Sequence, residues 1–143
     1  MGYIIPNEGD NHIMSAAFQA SGFMYLNLFS NDVTLTATMV SSDCTRLTAG
    51  GYTSGWASSG IPIHQTAWKG PYLTAGSAEM SASGAASNGG FLFAFTAAPN
   101  QSAYGYVIGN ANGKCLVVEK FASVYYLANA GDTITITPKV RAT

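Results

Sequence analysis

From Phe91 to Thr137 the chain repeats one pattern: short stretches alternating large apolar with small or polar residues, cut by turns rich in glycine and asparagine. Phe91-Leu92-Phe93-Ala94-Phe95-Thr96 is one such stretch, and Thr133-Ile134-Thr135-Ile136-Thr137 is another. Successive side chains of a strand point to opposite faces, so a period of two with one apolar face marks a half-buried strand. Tyr104 to Ile108 and Lys114 to Lys120 flank Gly109-Asn110-Ala111-Asn112-Gly113. Asn-Gly is a strong short hairpin signal, because a type I′ turn needs positive φ at both central residues. Asn129-Ala130-Gly131-Asp132 supplies a second turn. In the last stretch the Ile residues face a core and the Thr residues face outward, and Pro138 marks an edge strand or its end.

The same period governs Phe23 to Phe29, where Met24, Leu26 and Leu28 oppose Phe23, Tyr25, Asn27 and Phe29. Both faces are largely apolar, which predicts a central strand covered on both sides. After the turn Ser30-Asn31-Asp32, Val33, Leu35, Ala37 and Met39 alternate with Thr34, Thr36, Thr38 and Val40, which predicts a half-buried strand over Val33 to Val40. The glycine-rich stretch from Ser41 to Gly90 predicts short strands at Trp56-Ala57, Ile61 to Trp68 and Ala78 to Ser83 between packed loops. Only upstream does the period change. Ile13, Ala17 and Ala20 share a helical face, with Asp10 or Asn11 as N-cap and Ser21-Gly22 as the stop, which predicts one short helix over 11–20. Ahead of it, Ile4-Ile5-Pro6 is extended and Asn7-Glu8-Gly9-Asp10 is turn chemistry. The expected architecture is mainly β: an antiparallel β-sandwich or jelly roll of seven to nine short strands, with one short N-terminal helix. An extended arm over residues 1–10 precedes a single sandwich domain over 11–143.

Composition narrows the function. A chain of 143 residues is the size of one ordinary domain, able to bury a full core without a metal or disulfide scaffold. Only 9% of residues are charged, against roughly 25% in typical soluble domains. Depletion of Lys, Glu and Asp with plentiful aromatics is the composition of protein–protein interfaces, so the chain is expected to cover part of itself with a partner; the alternative is a compact, extracellular-style β-domain with a neutral, Ser/Thr-rich surface. Its six cations (Arg46, Lys69, Lys114, Lys120, Lys139 and Arg141) are scattered, which argues against nucleic-acid binding, a process driven by clustered cations. No apolar run reaches the roughly 20 residues of a membrane span. The N-terminus lacks the basic and apolar regions of a secretory signal, which predicts synthesis in the cytoplasm. Cys44 and Cys115 belong to no paired motif; two buried free thiols are the simplest expectation, and one disulfide stays open.

No catalytic or metal-binding constellation stands out, and no cofactor is implied. His12 and His64 are far apart and have no Asp, Glu or Cys at metal-site spacing. No serine sits in a G-x-S-x-G elbow, and no G-x-x-x-x-G-K-[ST] phosphate loop occurs. Of the seven acids, Glu8, Asp10, Asp32 and Asp132 lie in turns, where capping the backbone is the ordinary role. Glu119, beside Lys120, reads as a partner in a cross-strand or intersubunit ion pair. Tyr52, Trp56, Trp68 and Tyr72 suit core or interface packing better than a sugar-stacking platform.

The order of "IIPNEGD", a short apolar helix, "MYLNLFSNDVT", and then "YGYVIGNANGKCLVVEKF" and "ANAGDTITITPKV" resembles small virion structural proteins of tailed bacteriophages, of the capsid decoration or cement type. The likeness covers both ends of the chain and is weak from Ser41 to Gly90. It implies a non-enzymatic protein on the outer capsid surface of the virion. Such a protein self-associates, as a homotrimer, and stabilises the head by bridging copies of the major capsid protein. Tyr3, Ile4 and Ile5 in the arm are the candidate assembly contacts, since each large side chain covered by a neighbour contributes about 1.5–3 kcal/mol. The alternative is a phage tail or fibre module that binds a host receptor or glycan, with Trp56 and Trp68 as stacking surfaces.

Overall fold

The structure is a computed structural model that describes residues 16, 23–48, 60–74, 77–84, 89–110 and 114–141. Among them the chain is mainly β, with nine strands: β1 (Phe23–Phe29), β2 (Ile61–His64), β3 (Trp68–Thr74), β4 (Ser77–Ala82), β5 (Phe91–Ala94), β6 (Gln101–Asn110), β7 (Cys115–Leu127), β8 (Thr133–Ile136) and β9 (Lys139–Arg141). The chain divides into two compact units, one built on Phe23–Pro62 and Leu92–Thr135, the other including Ile63–Phe91 and Ile136–Thr143.

In the first unit β1 lies inside a four-stranded sheet of order β2-β1-β6-β7. It pairs antiparallel with β6, from Met24 opposite Asn110 to Phe29 opposite Gly105. Met24, Leu26 and Leu28 are buried on one face, and Asn27 and Phe29 on the other, as expected of a strand covered on both sides. β5 and β8 form a two-stranded sheet. Their alternation holds residue by residue: Phe91, Phe93, Ile134 and Ile136 are buried, while Leu92, Ala94, Thr133 and Thr135 are exposed. Beyond β5, Phe95 N–H donates to the Asp132 carbonyl (3.1 Å) and Gly131 N–H to the Phe95 carbonyl (2.8 Å). The turn between is closed by Asn129 N–H donating to the Asp132 carboxylate (2.9 Å).

The second unit carries a three-stranded antiparallel sheet of order β3-β4-β9, with Trp68 opposite Ala82 and Met80 opposite Val140. Pro138 lies just past the end of β8, as its position after the Thr-Ile alternation predicts, and before β9. It is fully buried between β8 and β9, and its carbonyl accepts from Ala82 N–H (3.0 Å), a bond that needs no donor from proline.

Two expected strands are corrected. Val33 to Val40 forms no strand: only Val33 is buried, and Leu35 and Val40 are exposed. Its alternation is real, but no neighbouring strand offers a ladder to its backbone among the described residues, and β-propensity without a ladder does not hold a strand. Ile61 to Trp68 is broken by a 3₁₀ turn at Gln65–Ala67, which separates β2 from β3. The imidazole of His64 caps that turn, its Nδ1 accepting from Thr66 N–H (3.3 Å). The arm, the helix expected over 11–20 (apart from Ala16), the strand at Trp56-Ala57 and the tip of the Asn112-Gly113 turn lie outside the described residues. Either side of that tip the hairpin is closed, with Asn110 N–H donating to the Lys114 carbonyl (3.0 Å).

Among the described residues Asn27 is the buried polar side chain of the core, and Gly60 is what makes room for it. Gly60 has φ +114°, and a Cβ there would stand 2.6 Å from Asn27 Oδ1. Gly60→Ala is therefore expected to cost about 2–3 kcal/mol, from left-handed strain plus overpacking. Urea unfolding checks this; a loss below about 0.5 kcal/mol would mean that the Asn27 side chain yields freely.

Candidate functional site

The most exposed apolar surface among the described residues lies on β7, the edge strand opposite β2. Its pairing with β6 places Gly105 opposite Lys120 but Ala103 opposite Tyr125, so Phe121 to Val124 stand against Tyr104 alone. Extra residues in one strand leave the ladder, bend the strand and push side chains outward. Val124 and Tyr125 are each 52% exposed and Tyr126 is 64% exposed. The aromatic rings are mutually ordered: Phe121 packs edge-to-face on Tyr125 at 5.2 Å and lies tilted against Tyr106 at 6.3 Å. Offset and T-shaped pairs of this kind hold aromatic side chains in place. From Phe121 to Gly131 the sequence carries no charge. Edge strands that must stay solitary are normally guarded by Lys, Pro or a covering element. Among the described residues, no such guard covers its exposed aromatic half.

Beside the other end of β7 is an open cleft of about 280 Å³, lined by Leu35, Thr36, Ala37, Met39, Cys115 and Leu116 with Val118. A one-residue irregularity builds its wall. Ile108 faces Val117 and Gly109 faces Cys115, leaving Leu116 as the extra residue. Strict alternation would send Cys115 and Val118 to opposite faces; the bulge brings both against the cluster of Phe29, Val33, Cys44 and Val107. The loop bearing Cys44 is clamped by Asn31, whose Nδ2 donates to the Asp43 carbonyl (2.8 Å) and whose Oδ1 accepts from Thr45 N–H (2.7 Å). Burial pushes the Cys44 thiol up to about 11, with Cys115 and then Asp43 adding to the rise. Cys115 is raised by burial and then by Asp43. The fold therefore favours the neutral thiol of Cys44. That contribution is complete below the ordinary thiol range near 9 and is lost as pH rises through about 11.

The acids and tryptophans named from the sequence fall as follows. Among the described residues no cation pairs with Glu119 across the ladder; its carboxylate accepts the Tyr106 hydroxyl from the residue directly opposite. Lys120 instead meets Asp32 at 2.5 Å, a turn residue far away in sequence. With Asp32 69% exposed, that pair contributes no more than about 1 kcal/mol. Trp68 is only 2% exposed, so it presents no indole face for a sugar to stack on. Trp56, Tyr3, Ile4 and Ile5 lie outside the described residues. Among the described residues there is no group of His, Cys, Asp and Glu that could hold a metal ion, and no helix long and apolar enough to cross a membrane. The β7 edge was missed in the sequence, although its uncharged run Phe121 to Gly131 was a usable signal. Comparison with protein-family models, with curated proteins and with solved structures finds no match to this chain.

Proposed function

We propose that the chain is a non-enzymatic structural protein of a phage virion, a capsid decoration or cement protein that self-associates as a homotrimer and bridges major capsid proteins. The observation that carries this reading is the aromatic edge of β7, where Val124, Tyr125 and Tyr126 stand exposed in a stretch of sequence that carries no charge. Full burial of a large side chain contributes about 1.5–3 kcal/mol, and covering what remains exposed of each of these contributes roughly half of that, which is the driving force of an assembly contact. The low overall charge supports the same reading, since interfaces are depleted in Lys, Glu and Asp. The sequence resemblance supplies the virion setting. The corresponding fold reading is a β-sandwich or jelly roll over residues 11–143 with a short N-terminal helix, the apolar arm reaching a neighbour through Tyr3, Ile4 and Ile5.

The test is the number of copies of this chain relative to the major capsid protein in purified particles. Copies comparable in number to the capsid protein are expected. A few copies per particle would move the chain to the tail, and absence from the particle would end the virion reading. Removing residues 1–10 is expected to weaken attachment to the shell while the β-domain stays folded. Unchanged shell binding by the truncated chain would take the arm out of the mechanism.

A further inference from the structure

We propose that Cys44 and Cys115, brought from distant parts of the chain to one apolar cluster beside the β7 cleft, are a dithiol site that closes to an intramolecular disulfide. Both are free thiols in the structure. Cys44 is buried in the cluster with Phe29, Val33 and Val107, and Cys115 packs against the same cluster from the strand side. The backbone on each side is set independently. Asn31 brackets Cys44 through Asp43 and Thr45, and the bulge at Leu116 with the closed hairpin at Asn110 and Lys114 sets Cys115. That Cys115 adds to the rise of the Cys44 thiol agrees with their nearness.

The two positions differ in access, and that gives the order of events. Cys115 lines the open cleft and Cys44 does not. A low-molecular-weight disulfide such as oxidised glutathione reaches Cys115 first. Its thiolate attacks one sulfur, forming a mixed disulfide and releasing one small thiol. The Cys44 thiolate then attacks the Cys115 sulfur, the Cys44–Cys115 bond forms, and the second small thiol leaves. The two protein thiols are oxidised, the small disulfide is reduced to two thiols, and their two protons pass to the products. The bond ties the loop carrying Leu35 to Met39 to the start of β7, fixing the cleft between them.

The experiment uses the full chain, reduced and dilute, treated with oxidised glutathione in mildly alkaline buffer and then alkylated and weighed. The expected product is monomeric, lighter by two hydrogens, with no alkylated cysteine and one peptide pair joined through Cys44 and Cys115. Closing so long a loop is expected to raise the thermal midpoint by about 10 °C over the reduced chain. A stable glutathione adduct on Cys115 with Cys44 still reduced would overturn the proposal. So would dimers linked through Cys115 as the sole disulfide product. Cys44→Ser should stop the reaction at the Cys115 adduct; if that variant does not fold, the oxidised and reduced forms of the unaltered chain decide. Because the isolated chain is tested, the result is independent of any role in a particle.

Discussion

Gly105→Ala is expected to cost about 3 kcal/mol or more of folding stability, at the upper end of overpacking penalties. Gly105 sits in β6 at the point where β7 begins to bulge, opposite Lys120. A Cβ there would fall on the Glu119 carbonyl oxygen, and would stand 2.6 and 2.8 Å from two atoms of the Phe29 ring. A side-chain tip can move aside at little cost, but a backbone carbonyl in a ladder cannot. Relief requires β7 to shift at Glu119, which breaks the hydrogen bond from Tyr106 and loosens the bend that presents Tyr125 and Tyr126. Gly131→Ala is the control. Gly131, unlike Gly105, has positive φ (+93°), but its added Cβ would meet nothing within 4 Å, so only backbone strain of about 1–2 kcal/mol is expected. Urea unfolding of the two variants should separate them clearly; equal losses would show that crowding at Gly105 is not the constraint.

Phe29→Ala is expected to cost about 3–5 kcal/mol, the range for deleting a buried aromatic ring. Phe29 is fully buried at the end of β1, where it joins Val33, Cys44 and Val107. Its neighbours are poorly placed to collapse into the space. Cys44 is held by the Asn31 clamp, and Val107 is fixed in the ladder between β1 and β7. The cavity should persist, so both the transfer and cavity terms apply in full. Faster alkylation of Cys44 under native conditions should accompany the loss, because the ring is part of what covers the thiol. A loss below about 1 kcal/mol would mean that the cluster repacks, contrary to the anchoring described.

The two variants probe different information. Phe29 is legible as a core residue from the alternation of β1, since both faces of that strand are apolar. Gly105 is one of the 16 glycines, and nothing local distinguishes it. Its importance depends on which residue of β7 lies opposite, which is a question of register. The same holds for Cys115. It shares a face with Val118 only because Leu116 is an extra residue, a defect that no period-two reading contains.

What the sequence determined by itself is the mainly β character of the chain and the faces of several strands. β1, β5, β6 and β8 lie where alternation and turn residues placed them, because pleating and positive-φ turns are local properties. Tertiary structure decided the rest. Val33 to Val40 alternates as well as any strand, yet stays irregular because no ladder is offered to it among the described residues. Asp32 pairs with Lys120 instead of serving only its own turn, and Glu119 takes a hydroxyl instead of a cation. Cys44 and Cys115 reach one apolar cluster through two anchored segments that share no sequence motif. Each of these outcomes depends on a partner far along the chain, and a side chain's neighbours across a sheet are set by register, which one residue of bulge is enough to change.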